Sequence, residues 1–112
     1  MSRKAIKRLG AAEWPSASLG AHPYRHLYVI QEGVDGPVKV GVAANAASRR
    51  VDLQAGNPRP LFLRAVFAGN DKRAIGAIER EIHAKLIAHL VVNEWFSVTP
   101  DVVIALIETD YC

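Results

Sequence analysis

The sequence predicts a small α+β domain in which a three-stranded antiparallel sheet is flanked by helices. Two β-rich segments, residues 26–31 and 38–43, are separated by the turn-forming stretch EGVDGP, which favours a β-hairpin. A third β-rich segment, residues 61–67, follows a helix-like segment. The sequence has neither a GxGxxG motif after a strand nor a GxxxxGK[ST] motif, so a parallel nucleotide-binding fold is not indicated.

Length and composition restrict the class of protein. The chain has 112 residues, enough for one domain, and its single cysteine, Cys112, leaves no partner for an intrachain disulfide. No stretch approaches the roughly 18 apolar residues of a membrane span, and the N-terminus lacks the apolar run of a secretory signal. We therefore expect a soluble cytoplasmic protein. The net charge of +3 weakly favours a polyanionic partner.

The first 23 residues differ in composition from the rest. They combine Gly, Pro and Ser with a basic cluster near the start, which predicts a basic, flexible tail over residues 1–23 ahead of a domain over residues 24–112. Within that domain, Asn45 is a suitable N-cap for a helix over residues 46–54, and Gly56 ends it.

Two further helices are predicted towards the C-terminus. Residues 71–90 have the period of one long amphipathic helix, and residues 91–96 form a short extended piece after it. Thr99 is a suitable N-cap and Pro100 a suitable first residue for a last helix that continues to about residue 108.

Glu79 lies on the apolar face of the predicted long helix. At about 100° per residue, it falls within an arc formed by Ile75, Ile78, Ile82, Leu86 and Leu90. An ionised carboxylate on a core-facing stripe is costly unless a neighbour compensates its charge. A metal ion, an arginine or a solvated cleft would do so, and the periodicity alone leaves these alternatives open.

Several segments resemble one known family in their order and spacing. They are LYVI at 27–30, VKVGVA at 38–43, SRRVDLQAGNPRPL at 48–61, AIEREIHAKL at 77–86 and NEWF at 93–96. Together they resemble the GIY-YIG nuclease superfamily, and within it the compact phage-associated branch in which the second half-motif reads Lys-Ile-Gly. The resemblance spans roughly residues 26–107, and the fold it implies, a three-stranded antiparallel sheet flanked by helices, agrees with the independent prediction.

The resemblance implies a role for particular residues. Tyr28 matches the first tyrosine of the family motif, Lys39 stands at the second tyrosine, and Gly41 matches the closing glycine. Arg49 matches the family arginine, and Arg50 beside it takes a position that is usually apolar. His26 and Leu27 depart from the founding motif, where glycine and isoleucine stand.

The long helix supplies the other two site residues that the resemblance implies. Glu79 matches the metal-binding glutamate and would hold a single Mg²⁺ or Mn²⁺ ion. His83 matches the family histidine and would orient Glu79 or contact a phosphate. Tyr28 would help to deprotonate the attacking water, assisted by Lys39, and Arg49 would neutralise the scissile phosphate.

Each of these residues also has a purely structural interpretation. Tyr28 would then be a half-buried strand aromatic, Lys39 a solvent-facing lysine, and Arg49 an exposed helix residue. Glu79 would form a buried ion pair with an arginine, and His83 would serve in packing or capping.

The remaining candidates concern contacts around the site. Arg50 and Arg59, with Lys39 and Arg49, are predicted to contact nucleic acid. Glu94 also matches the family, and we interpret it as a structural residue that fixes a loop beside Trp95 and Phe96. The histidines at positions 22, 26 and 89 have no spacing that indicates a shared metal.

The sequence therefore predicts a divalent-metal-dependent DNA endonuclease. The alternatives are a nucleic-acid-binding module that does not cleave, or a protein-interaction domain that keeps only the fold. In the last case the side chains of Tyr28, Arg49 and Glu79 would not converge on one cleft. The residues leave open the DNA site, cleavage of RNA, and the oligomeric state.

Overall fold

The computed structural model describes residues 6–14, 25–69 and 72–112 and shows an α+β fold. Its three helices and the six strands of one antiparallel sheet are, in chain order, β1 (Lys7–Arg8), β2 (Arg25–Glu32), β3 (Val38–Ala43), α1 (Ala46–Ala55), β4 (Leu61–Gly69), α2 (Lys72–Lys85), β5 (Leu90–Val92), β6 (Trp95–Phe96) and α3 (Pro100–Tyr111). The predicted fold class is confirmed, whereas the predicted number of three strands is wrong.

The strand order β1-β4-β2-β3-β6-β5 shows which strands the sequence did not predict. The central strands β4, β2 and β3 are the three that composition predicted. The additional strands are only two or three residues long. Such short strands have too few residues for a detectable alternation. β1 and β6 form because the longer β4 and β3 offer unpaired backbone groups, and β5 pairs in turn with β6.

Part of the predicted tail is folded against the sheet. Strand β1 pairs with β4, with Lys7 opposite Ala68, and the flanking Ile6 and Leu9 are buried. These two apolar residues, one on each side of the short basic pair, help to hold this segment on the sheet. The rest of the predicted tail, residues 1–5 and 15–23, lies outside the described residues, and the domain boundary after residue 23 stays a prediction.

The sheet separates two hydrophobic clusters, as the alternation along β2 shows. Leu27 and Val29 belong to the cluster that contains apolar residues of α2 and α3. Tyr28 and Ile30 belong to the cluster that includes Ala46 of α1. Because successive side chains of a strand point to opposite faces, α1 packs on one face of the sheet and the other two helices pack on the other face.

Helix α2 is shorter than the helix predicted over residues 71–90. It ends at Lys85, a 3₁₀ turn covers Ile87–His89, and β5 begins at Leu90. Leu90 is 43% exposed and pairs with Phe96, so its assignment to the apolar arc of the helix is wrong. The β-branched pair that follows favours a strand, and pairing with β6 outweighs continuation of the helix.

The predicted caps of the other two helices are confirmed. The Asn45 side chain accepts a hydrogen bond from the Ser48 N–H at 3.0 Å. The Thr99 hydroxyl accepts one from the Val102 N–H at 3.4 Å, and α3 continues to Tyr111, beyond the predicted end. In the parts of the chain that the structure describes, every helix is too short or too polar to cross a membrane.

Candidate active site

The candidate site lies at the outer edge of β3. Strand β6 pairs with β3 only at Val38 and Lys39, so within the described residues the following part of β3 is paired on its other side alone, with β2. The His83 ring on α2 uses its Nε2–H to donate a hydrogen bond to the Val40 carbonyl oxygen at 2.8 Å. Helix α2 is therefore attached to the part of β3 that β6 leaves uncovered.

Gly41 provides the space for the Tyr28 ring. The two residues are directly opposite each other on β3 and β2, and Tyr28 is only 1% exposed. A Cβ atom at Gly41 would lie 2.5 Å from Cζ of Tyr28 and closer still to its hydroxyl oxygen. The backbone of Gly41 is not in the left-handed region, so a glycine is required here for space and not for conformation.

Tyr28 faces charges of both signs. Burial raises the pKa of the Tyr28 phenol, and the Arg49 guanidinium, which lies within hydrogen-bonding reach, opposes this effect. The carboxylates of Glu94 and Glu79 raise the pKa further. Three elements, α1, α2 and the β5–β6 turn, thus bring charged groups to one buried phenol. Tyr28 is more deeply buried than a half-buried strand aromatic would be.

His26 connects β2 to the helix that carries Arg49. Its Nδ1 atom accepts a hydrogen bond from the Ala46 N–H at 3.0 Å, and Ala46 is the first residue of α1. This N–H has no partner within the helix, and the buried imidazole satisfies it. His26 therefore fixes the start of α1, and Arg49 follows three residues later.

Lys39 is held inside the site. Its Nζ lies 2.7 Å from a carboxylate oxygen of Glu94 and 5.8 Å from the centre of the Trp95 ring. The residue is 7% exposed, so its interpretation as a solvent-facing lysine is wrong. The ion pair places a positive charge beside the carboxylates of α2 and of the β5–β6 turn.

Glu79, His83 and Glu94 form one cluster. A carboxylate oxygen of each glutamate and a ring nitrogen of the histidine all lie within 4.8 Å of one another. Residues 79 and 83 are one turn apart on α2 and share a face, as their spacing predicts. Their meeting with Glu94, which is distant in sequence, is decided by the tertiary structure.

Glu94 is the residue whose place in the site the sequence interpretation underestimated. Val92 pairs with Trp95, so Asn93 and Glu94 form the tight turn between β5 and β6. Asn93 has a φ of 52°, a left-handed conformation that asparagine tolerates better than most residues. The signal in the sequence was the NEWF segment, in which an asparagine suited to a turn precedes the glutamate.

The charge balance at Glu79 fits a cation. Burial raises the pKa of the Glu79 carboxyl, and the nearby Glu94 raises it further, whereas His83, Lys39 and Arg80 lower it. Partial removal from water and a second carboxylate therefore both oppose ionisation of Glu79. Carboxylate and imidazole donors suit a divalent ion, and such an ion would stabilise Glu79 in its ionised form.

Arg50 and Arg59 lie away from the cluster. Arg50 lines a shallow groove with Trp14 and Leu61, whereas Arg49 lies beside Asn45 at the other side of α1. Of these two neighbouring arginines, Arg49 is the one that reaches Tyr28. Arg59 is bound to acidic side chains at the β2–β3 turn, and its predicted contact with nucleic acid stays a prediction.

The ion pairs of Arg59 indicate a structural role for the LQAGNPRP segment. The guanidinium lies 3.4 Å from Glu32 and 3.2 Å from Asp35. Gln54 adds hydrogen bonds to the Arg59 carbonyl oxygen and from the Leu61 N–H. This segment ties the loop after α1 to the β2–β3 hairpin, and its role in the described structure is architectural.

The fold and the site define a small α+β domain with acidic, basic and phenolic groups gathered at one sheet edge. Residues 25–109 match the family model of the T5orf172 domain, and because the match covers most of the chain, the protein belongs to this family. T5orf172 is a phage-associated domain related to nuclease-like folds. A comparison with curated proteins and one with solved structures found no match.

Proposed function

We propose that this protein is a divalent-metal-dependent DNA endonuclease of the GIY-YIG type. One observation carries the proposal: Arg49 of α1 and Glu79 of α2 both interact electrostatically with the buried Tyr28 of β2. A domain that kept only the fold for protein interaction would have no reason to gather these groups. Membership of a family related to nuclease-like folds supports the same function.

In the proposed function, Arg49 binds the phosphate. Its guanidinium is exposed on α1 while it reaches the Tyr28 phenol, so it can meet a phosphodiester that approaches from solvent. A guanidinium can donate two parallel hydrogen bonds to phosphate oxygens and neutralise their charge. Lys39 contributes positive charge from the interior, where Glu94 holds it.

Tyr28 is placed to take part in deprotonation of the attacking water. Because burial and two carboxylates raise the pKa of its phenol, Tyr28 needs a cation beside it to act near neutral pH. Arg49 supplies that charge and donates towards the phenol oxygen. In the proposed reaction, Tyr28 acts as the phenolate, which Arg49 stabilises. The phenolate oxygen accepts a proton from the water, the water oxygen forms a bond to phosphorus, the bond from phosphorus to the leaving oxygen breaks, and the leaving oxygen takes up a proton from solvent.

Glu79 is the residue that would hold the metal ion. A bound Mg²⁺ or Mn²⁺ supplies charge stabilisation for the phosphate and for the leaving oxygen. The burial of Glu79 on α2 fixes its carboxylate near His83 and Glu94. Burial and the neighbouring Glu94 carboxylate make the ionised form of Glu79 costly, and this cost is the physical reason to expect an ion there.

Relaxation of a supercoiled plasmid tests the proposed function. Wild-type protein should nick the plasmid in Mg²⁺ or Mn²⁺ and not in excess chelator. Glu79→Gln, which keeps the shape of the side chain and removes its charge, should lower the rate by about 100-fold or more. Glu108→Gln is the matched control, because Glu108 is exposed on α3 and paired with Arg8. Equal cleavage by wild type and Glu79→Gln would refute the assignment of the site.

A second candidate function is binding of nucleic acid without cleavage. The deep burial of Tyr28 favours it, because a phenol that is 1% exposed with a raised pKa is a poor base. Binding that depends steeply on salt, with an intact plasmid in every divalent metal tested, would establish this function instead.

A further inference from the structure

We propose that Glu79, His83 and Glu94 together form one metal site, and that its imidazole donor makes the site prefer Mn²⁺ or another first-row transition-metal ion to Mg²⁺. This inference deepens the proposed function, since the ion would be the one used in cleavage. It concerns the donor set and the choice of ion, which can both be measured without any cleavage.

The geometry brings three donors together from two elements. The donor atoms of the three residues lie within 4.8 Å of one another, close to the spacing of ligands around one ion, so a small inward shift of the side chains would let one ion contact all three. All three side chains are partly buried. They are thus accessible enough to solvent for an ion to enter.

His83 has the arrangement typical of a histidine that binds metal. Its Nε2–H donates to the Val40 carbonyl oxygen at 2.8 Å, and a carbonyl oxygen can only accept. The neutral imidazole therefore carries its lone pair on Nδ1. Histidines that bind metal usually donate the other ring N–H to a backbone carbonyl or a carboxylate, which fixes the tautomer and the ring orientation. The Phe96 ring, 5.3 Å away between ring centres, also restricts the imidazole.

Glu94 is held in place by its turn and by Lys39. The tight turn at Asn93 directs it to the cluster, and Lys39 engages one of its carboxylate oxygens at 2.7 Å. Glu94 presents a carboxylate oxygen to the other two donors. Two carboxylates lie close together among the three donors, an arrangement that a dication stabilises.

The nitrogen donor decides which ion is preferred. Mg²⁺ prefers oxygen ligands, demands near-octahedral geometry and keeps several waters. Imidazole suits first-row transition-metal ions better. A site with a single carboxylate would discriminate little between Mg²⁺ and Mn²⁺, whereas a site with two carboxylates and an imidazole should favour Mn²⁺.

Calorimetric titration of the metal-free protein with Mn²⁺ and with Mg²⁺ tests the donor set. We expect one site, with Mn²⁺ bound about tenfold or more tightly than Mg²⁺. Glu79→Gln, His83→Asn and Glu94→Gln should each weaken Mn²⁺ binding by about tenfold or more, and His83→Asn should reduce the preference for Mn²⁺. Glu108→Gln and His89→Asn make the same chemical changes at exposed positions outside the cluster and should leave Mn²⁺ affinity unchanged.

Pulsed electron paramagnetic resonance of the wild-type protein with Mn²⁺ provides a second measurement that needs no variant. Coupling of the Mn²⁺ electron spin to a ¹⁴N nucleus is expected if His83 is a ligand. Absence of this coupling, equal affinity for the two ions, or Mn²⁺ binding that only Glu79→Gln weakens would overturn the inference. Metal binding as expected in a protein that leaves the plasmid intact would reject the proposed cleavage and keep the metal site.

Discussion

The close approach of Tyr28 to Gly41 gives a quantitative prediction. In Gly41→Ala the added Cβ would lie 2.5 Å from Cζ of the buried Tyr28 ring and nearer still to its hydroxyl oxygen. Neither the fully buried phenol nor the central strands can move freely, so we expect a cost typical of overpacking, about 1–3 kcal/mol. Gly→Ala without strain would instead stabilise the protein by about 0.4–1 kcal/mol, so the two cases differ in sign.

Gly56→Ala is the matched control, because nothing lies within 4 Å of a Cβ built at Gly56. Thermal and urea denaturation of both variants should show a loss of stability in Gly41→Ala alone. At roughly 4 °C per kcal/mol, its Tm should fall by about 4–12 °C. If Gly41→Ala is as stable as Gly56→Ala, the steric explanation of Gly41 is refuted.

A double-mutant cycle with Tyr28→Phe identifies the atom responsible. Removing the hydroxyl group removes the closest atom and leaves Cζ in place, so Gly41→Ala should cost about 1 kcal/mol less in the Tyr28→Phe background. An equal cost in both backgrounds would mean that Gly41 acts through the backbone and not through the phenol. The cycle also separates the lost interaction with Arg49, which both Tyr28→Phe proteins share.

Three further predictions concern pH dependence, the β5–β6 turn and the surface arginines. Burial raises the pKa of the Tyr111 phenol. The stability that this group contributes is therefore present below about pH 10 and is lost as pH rises through the folded-state pKa. When Tm is followed from about pH 9 to 11, Tyr111→Phe should lose less stability than wild type. Asn93→Ala should lower the free energy of unfolding, measured by urea denaturation, by about 1–2 kcal/mol, because φ is 52° at this position. Asn93→Gly should lower it by less, and equal losses in the two variants would contradict this explanation. Arg49→Ala should reduce the slope of log affinity for duplex DNA against log salt concentration by about 1. Arg59→Ala should leave this slope unchanged, because acidic neighbours engage the Arg59 guanidinium in the wild-type protein. A reduced slope in Arg59→Ala would place DNA at the β2–β3 turn.

Local signals predicted the parts of the fold that depend on neighbours in sequence. The three central strands, the α1 helix and the caps at Asn45 and Thr99 were predictable, since alternation and capping are properties of a few consecutive residues. The additional strands β1, β5 and β6 were not. β1 and β6 exist because the longer strands β4 and β3 offer edges to pair with. β5 pairs in turn with β6, and the end of α2 before Leu90 follows from this last pairing.

The candidate site also has features that the sequence specifies and features that depend on the tertiary structure. The sequence by itself determined that Glu79 is a carboxylate on an otherwise apolar helix face, that His83 shares that face, and that a residue without a side chain stands at position 41. Only the tertiary structure decided that Lys39 points inward, that a two-residue turn brings Glu94 to the α2 carboxylate, and that Arg49 and not Arg50 reaches Tyr28. These facts depend on how the edge of β3, helix α2 and the β5–β6 turn meet in space, and no spacing along the chain specifies that meeting.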